Sequence, residues 1–238
     1  MIHAVLKIGG SLNGGKYLPA LAKQVSELGK RYPLLVVPGG GPFADVVRAQ
    51  DKQFGLSDSV AHWMAILGME QYGWLLADLI PDGEPVQTLA KAHALSQQGR
   101  VPILLPWTLL YLTDPLPHTW DVTSDSVAAW IAATLQTPLL ILLKDVDGAF
   151  IEYGQKKNHS RLLKRITTGQ LECYGVVDRY LPGLVAQYGL ELWLINGKRP
   201  ERLAELLSTG TTVGTRAVEE GSSLQGMKGA DSPASASR

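Results

Sequence analysis

Five short runs that are apolar almost throughout punctuate the chain: IHAVLKI at 2–8, PLLVV at 33–37, VPILLP at 101–106, PLLILLKDVDGAFI at 138–151 and ELWLIN at 191–196. Runs so short and so apolar read as strands covered on both faces, the last but one broken by Asp and Gly. Helical periodicity fills the intervals. YLPALAKQVSELGKRY at 17–32 is amphipathic, and PFADVVRAQ at 42–50 opens with proline in its first turn. DSVAHWMAILGMEQYGWLLADL spans 58–79, TSDSVAAWIAATLQ at 123–136 starts on a Thr/Ser cap, and RPERLAELLS follows the last strand. Strands alternating with helices predict an α/β protein: a largely parallel sheet between two helical layers. Residues 1–218 are expected to form one domain. The stretch 219–238, rich in Ser, Gly and Ala, reads as a disordered tail.

Glycines cluster where strands end. KIGGSL at 7–12 follows the first strand and VVPGGGPFAD at 36–45 contains the second strand's end. Glycine weakens any regular element, so a run of three serves a turn or a close approach of ligand to backbone. A single Gly-Gly pair is read as a plain strand-to-helix turn. Two such turns, one begun by Lys7, are read as a phosphate cradle, because helix N-termini offer free amides and a favourable dipole. In parallel sheets ligands gather at the carboxyl ends of the strands. Asp145, Asp147 and NGKRP at 196–200 also follow strands, so they are predicted on the same edge as the glycines. Neither G-x-x-x-x-G-K-[ST] nor G-x-G-x-x-G follows the first strand, which disfavours a P-loop kinase and a dinucleotide-binding dehydrogenase.

Composition narrows the partners. The 238 residues are 45% hydrophobic and 18% charged, enough for one substantial core. The 22 basic and 22 acidic residues cancel, so no charge excess would draw nucleic acid or an anionic membrane surface. A single cysteine, Cys173, excludes an intrachain disulfide framework and a cysteine-rich metal site. The five histidines lack metal-ligand spacing. No apolar run approaches the roughly 20 residues of a membrane span, and no signal-peptide pattern opens the chain. A cytoplasmic protein is expected.

KIGGSL, VVPGGGPFADVV, TSDSVAAWIA, LLKDVDGAF, NGKRPERL and GTTVG occur here in the order in which they are found in the amino acid kinase superfamily, and the chain resembles that family over about 1–216. Within it, HWMAILGMEQYG at 62–73 and DPLPHTWDVTSDS at 114–126 are similar to the 5-(aminomethyl)furan-3-ylmethyl phosphate kinases of methanofuran biosynthesis. The resemblance implies an amino acid kinase-like αβα sandwich, ATP as phosphoryl donor and Mg²⁺ held chiefly by nucleotide oxygens and water, with no metal ligand from the protein. It implies that Lys7 contacts the phosphoryl group in flight and that Asp125 orients Lys7. Gly9 and Gly10 would face the donor's phosphates, and Gly39, Gly40 and Gly41 the acceptor. Asp145, Asp147 and Gly148, with Asn196, Gly197 and Lys198, would lie on the nucleotide side. Lys144 stands where many relatives carry Ser or Thr and is placed with the nucleotide-binding residues.

One departure matters. Acetylglutamate and isopentenyl phosphate kinases carry a second catalytic lysine a few residues after an aspartate. Counted from Asp178, that position falls near Pro182 or Gly183, and no lysine is there. Uridylate kinases also lack this lysine, so the gap does not exclude catalysis; Lys144 and Lys198 are the candidates to replace it. On the acceptor side, Asp45 suits an ammonium, and Arg48 or His62 a phosphate; Trp120 or Trp63 would stack on a furan ring. The triple glycine lacks the Arg or His that uridylate and isopentenyl phosphate kinases place shortly after it, which favours an amine-bearing phosphomonoester. Acetylglutamate, uridylate or isopentenyl phosphate as acceptor, and a nucleotide-binding or storage protein without turnover, stay open as alternatives. Trp63, Ile66, Leu67, Trp74 and Leu75 give 58–79 a wide apolar arc, from which a homodimer or larger homo-oligomer is expected.

Overall fold

The computed structural model describes residues 1–152 and 160–218; the tail expected over 219–238 lies outside them. In chain order the elements are β1 (Ala4–Ile8), α1 (Tyr17–Gly29), β2 (Leu34–Pro38), α2 (Gly41–Phe54), α3 (Asp58–Leu79), β3 (Gly83–Val86), α4 (Leu89–Ser96), β4 (Val101–Leu104), α5 (Trp107–Thr113) and α6 (Ser124–Thr134). They continue with β5 (Leu139–Lys144), β6 (Phe150–Glu152), β7 (Ser160–Leu162), β8 (Arg165–Thr167), α7 (Leu181–Tyr188), β9 (Glu191–Asn196), α8 (Glu201–Thr209) and β10 (Gly214–Val218). Eight strands form one sheet in the order β3-β4-β2-β1-β5-β9-β10-β8, and β6 pairs with β7 as a separate hairpin. Neighbours in the large sheet run parallel except β9 and β10. This is the predicted α/β sandwich.

Strand parity organises the interior. Ala4, Leu6 and Ile8 of β1, with Ile141 and Leu143 of β5, pack into one core with α1, α8 and the second half of α3. Val5 of β1 and Leu140 and Leu142 of β5 face the other way, into a core with α6 and α7. Side chains alternate across a strand, so Lys7 belongs to the face of Val5, and Lys144 to the face of Leu142. Both lysines therefore stand at carboxyl ends on the α6 side.

The apolar runs at 2–8, 33–37, 101–106 and 191–196 all contain strands, and 58–79 is helical to the residue. The run 138–151 divides into β5 and the start of β6 across the turn that holds Asp145 and Asp147. The short elements β3, α4, α5, β7, β8, α7 and β10 escaped the sequence reading. In β3 the reason is visible: Pro85 argues against a strand, but β3 lies at the sheet's edge, where a missing amide is tolerated.

Candidate active site

The two glycine turns touch each other. A side-chain carbon on Gly10 would lie 2.4 Å from Gly41 Cα, and Gly41 has φ +56°, in the left-handed region. Bare backbone is thus required on both sides of the contact. Tyr72 of α3, fully buried, supports the pair from below. Its ring would sit 3.2 Å from a carbon added at Gly41, and its hydroxyl reaches the Gly9 carbonyl at 3.5 Å. Tyr72 was not foreseen; a tyrosine in an apolar helix carries no local sign of such a role. Gly9, Gly10, Gly40 and Gly41 line a cavity of ≈ 330 Å³. Gly39 does not line it: its amide donates to Ile8 O at 2.8 Å, and a side chain there would collide with Gly10. Its expected place against the acceptor is corrected to a structural one.

Lys7, Asp125 and Lys144 meet at the inner end of this cavity. Lys7 Nζ lies 2.8 Å from Asp125 Oδ1 and Lys144 Nζ 2.5 Å from Oδ2, so one carboxylate bridges two ammonium groups. The Asp125 side chain is 3% exposed, Lys7 6% and Lys144 16%. Burial works against the Asp125 anion, yet the two cations and their hydrogen bonds hold its carboxyl down at about 2. Burial likewise lowers the Lys7 pKa from its usual value; Asp125 opposes that shift and Lys144 adds to it. The site keeps more positive than negative charge at its centre, which suits an anionic ligand.

Asp125 is held in place from a distance. Asp178, in the loop before α7, accepts from Thr123 N (2.9 Å) and Oγ1 (2.8 Å), Ser126 N (3.0 Å) and Oγ (2.5 Å), and Leu181 N (2.9 Å). It satisfies amides at the start of α6 and of α7 together. The expected Thr/Ser cap is thereby corrected: Thr123 caps nothing with its own oxygen and instead binds Asp178. A second cavity of ≈ 360 Å³ is bordered by 175–179, Trp120, Thr123, Asp125 and Lys144. Asp125 and Lys144 line both cavities.

The outer part of the first cavity holds Asp45, Arg48, Asp58, His62 and Trp120, as expected for four of the five. Three of their roles need revision. Asp45 Oδ1 pairs with Arg48 at 3.0 Å in an exposed contact, so Arg48 would compete with an ammonium for it. Asp58, at the start of α3, also lines the cavity, and among the described residues no side chain is bonded to its carboxylate; its sequence pattern marks only a helix start. His62 is half-buried and stacked on His118 with ring centroids 4.2 Å apart. Burial first, then His118, pushes its pKa down to about 4, so near neutrality it is an uncharged hydrogen-bonding ring and not a cation for phosphate. His118 bonds Ser59 Oγ and Asp114 Oδ1, both at 2.8 Å, pinning the loop 114–120 to α3. Trp120 carries the Arg48 guanidinium over its ring at 4.9 Å and donates to Asp51 at 2.7 Å. Trp63 turns into an aromatic cluster with Trp107, Tyr111 and His118 and does not reach the cavity.

The remaining candidates gather at a separate corner. Asp147 accepts from Asn196 Nδ2 at 2.7 Å and from Arg202 at 2.6 Å, and these contacts lower its pKa. Lys198 Nζ sits 3.7 Å from Asp145. Gly148, φ +143°, leaves room for Thr215, and the Gly197 amide donates to Lys144 O at 2.7 Å. Asp145, Asp147, Gly148, Asn196, Gly197 and Lys198 thus come together but line neither cavity.

The Amino acid kinase family model matches residues 3–179. The [5-(aminomethyl)furan-3-yl]methyl phosphate kinase of Methanocaldococcus jannaschii is 32% identical over 216 residues, covering 90% of this chain and 97% of that one. The uridylate kinase of Thermococcus kodakarensis is 29% identical over 71% of this chain and 74% of its own length. Among solved structures, uridylate kinase from Archaeoglobus fulgidus superposes with a TM-score of 0.71 at 20% identity, covering 91% of this chain and all of that one, which speaks to the fold alone. Because the matched segment runs through both glycine turns and through Lys7, Asp125 and Lys144, the chain belongs to the amino acid kinase family.

Proposed function

We propose that this kinase transfers the γ-phosphoryl group of Mg²⁺-ATP to 5-(aminomethyl)furan-3-ylmethyl phosphate, giving the diphosphate, with residues 1–218 as the catalytic domain. The observation that carries the reaction class is the state of Asp125. A carboxyl ionising at about 2 and shared by two ammonium groups is no general base. An alcohol acceptor needs such a base, whereas a phosphate arrives already ionised. The glycine cradle and the two lysines fit the phosphates that a nucleotide would bring. Lys7 would neutralise charge on the moving group, and the amides of Gly10, Gly40 and Gly41 would fix it in line. The acceptor itself rests on the similarity to the M. jannaschii enzyme over nearly the whole of both chains. Asp58 supplies a carboxylate for its ammonium, and the rings of His62 and Trp120 a wall for the furan.

A coupled ADP-release assay over a panel of acceptors tests this. The furan phosphate should give the highest kcat/KM, with little turnover of uridylate, isopentenyl phosphate or acetylglutamate. Preference for one of those would overturn the acceptor and keep the kinase; nucleotide binding without acceptor-dependent ADP release would favour a storage role. We also infer a homodimer through α3. Val60, Leu67 and Trp74 recur every seven residues and are 46%, 40% and 58% exposed, although Ile66 is buried in this chain's own core. Light scattering should exceed the 25.7 kDa of one chain.

A further inference from the structure

We propose that Lys144 is a catalytic residue, the second cation of phosphoryl transfer, supplied by the end of a central strand. The assignment rests on the phosphotransfer reading above.

Three independent observations converge. The first is register. Lys7 pairs with Leu142 across β1 and β5, so Lys144 lies two residues further along the neighbouring strand, on the same face. Both ammonium groups are therefore delivered to one side of the sheet at its ligand-binding edge. The second is bonding. Asp125 gives one oxygen to each lysine, and an ammonium has three donors. Each lysine thus keeps donors for a further ligand. The third is position: Lys144 is the cation that borders both cavities, since Lys7 lines only the first. The rival candidate fails on the same criteria. Lys198 sits beside Asp145 at 3.7 Å and over the Tyr17 ring at 5.9 Å, and it lines neither cavity.

The chemistry is balanced without a proton relay. An oxygen of the acceptor phosphate forms a bond to the γ-phosphorus. The bond between that phosphorus and the β–γ bridging oxygen breaks, and ADP leaves with the electron pair. Negative charge moves from acceptor to leaving oxygen, with the equatorial oxygens charged throughout. The two ammonium groups, both lining the cavity of the glycine cradle, would meet that charge, while Asp125 holds the pair together. Asp178 is the next carboxylate in the cluster. Its oxygens are engaged by amides and hydroxyls, so it orients α6, and among the described residues it takes no bond from either lysine.

The test separates charge at Lys144 from mere support of Asp125. Wild-type turnover over the acceptor panel is measured first; if wild type releases no ADP in response to any acceptor, the proposed function falls and this assignment with it. Given turnover, Lys144→Met should lower kcat by about 10²- to 10³-fold while the KM for ATP changes by no more than about threefold. In a Cys173→Ser background, Lys144→Cys should be equally impaired, and aminoethylation of the new thiol, which rebuilds a lysine-like ammonium, should restore most of the loss. A purely structural lysine would lower Tm and leave kcat of the folded protein intact. Should Lys144→Met not fold, Lys144→Gln, whose amide can still donate to Asp125, takes its place with the same expected loss. A kcat within threefold of wild type in either folded variant, or no recovery on aminoethylation, overturns the assignment.

Discussion

Asp125 and Asp147 stand on the same edge of the sheet, and each is bound by two nitrogen donors, yet they build different things. Asp125 is buried between Lys7 and Lys144, both of which also line a cavity. Asp147 is 38% exposed, held by Asn196 and Arg202, and none of the three lines either cavity. The two clusters are neighbours, because Lys144 pairs with Asn196 across β5 and β9. The difference lies in what the donors have left to give. Around Asp125, one carboxylate organises two cations whose remaining donors can take a ligand, while at Asp147 side chain, guanidinium and amide cross-link a turn. Burial makes the first arrangement costly unless an anion arrives to share the charge, and that cost is the basis for placing the chemistry there.

The largest expected effect separates the two aspartates directly. Lys7→Ala, which removes a cation from the first cluster, should lower kcat by about 10³-fold or more with a much smaller change in the KM for ATP. Asp147→Ala should leave kcat within about threefold and lower stability by about 1–2 kcal/mol, since its contacts are partly exposed. Equal losses of kcat in the two variants would erase the distinction.

A smaller effect distinguishes the two acidic residues of the outer cavity. Asp58→Asn should raise the KM for an amine-bearing acceptor by about tenfold and leave that for the same acceptor without its amine unchanged. Asp45→Asn, which breaks only an exposed pair with Arg48, should move both by less than about threefold. A reversed order would return the ammonium to Asp45.

The smallest effect is read in stability against pH. His62 has a folded pKa of about 4 against an ordinary 6.5, so between these values the unfolded chain binds more protons and stability falls as pH drops. Asp125, at about 2 against 3.8, contributes stability that is present above its ordinary value and lost as pH falls through about 2. Denaturant midpoints for His62→Gln should lose the decline between pH 6.5 and 4 and keep the one at lower pH. An unchanged upper decline would show that His62 is not the group responsible.

Much of this was legible beforehand where the signal is local. Apolar runs gave strands, and the glycine turns showed through because a bare backbone is written into the residue type itself. Lys7 and Asp125 were named by resemblance, and they meet at 2.8 Å. The weaker readings concerned side chains whose partners were not considered with them. Asp45 pairs with Arg48, three residues on, in an exposed contact. His62 looked like a cation, but burial first, and then His118 from a loop 56 positions away, lower its pKa. Asp178 served only as a counting mark, and it turned out to hold the start of the helix that carries Asp125.

By itself, then, the sequence determined the alternation of strands and helices, the two places where backbone must approach backbone, and the strand end that carries Lys7. Only the tertiary structure decided that Lys144 stands beside it. The physical reason is register. Patterning over a few residues sets which face of a strand is buried, but which residues meet across the sheet depends on how β1 aligns with β5, more than 130 positions later. With Lys7 opposite Leu142, the two-residue period of the strand brings Lys144 to the same face, and a single carboxylate on α6 then serves both.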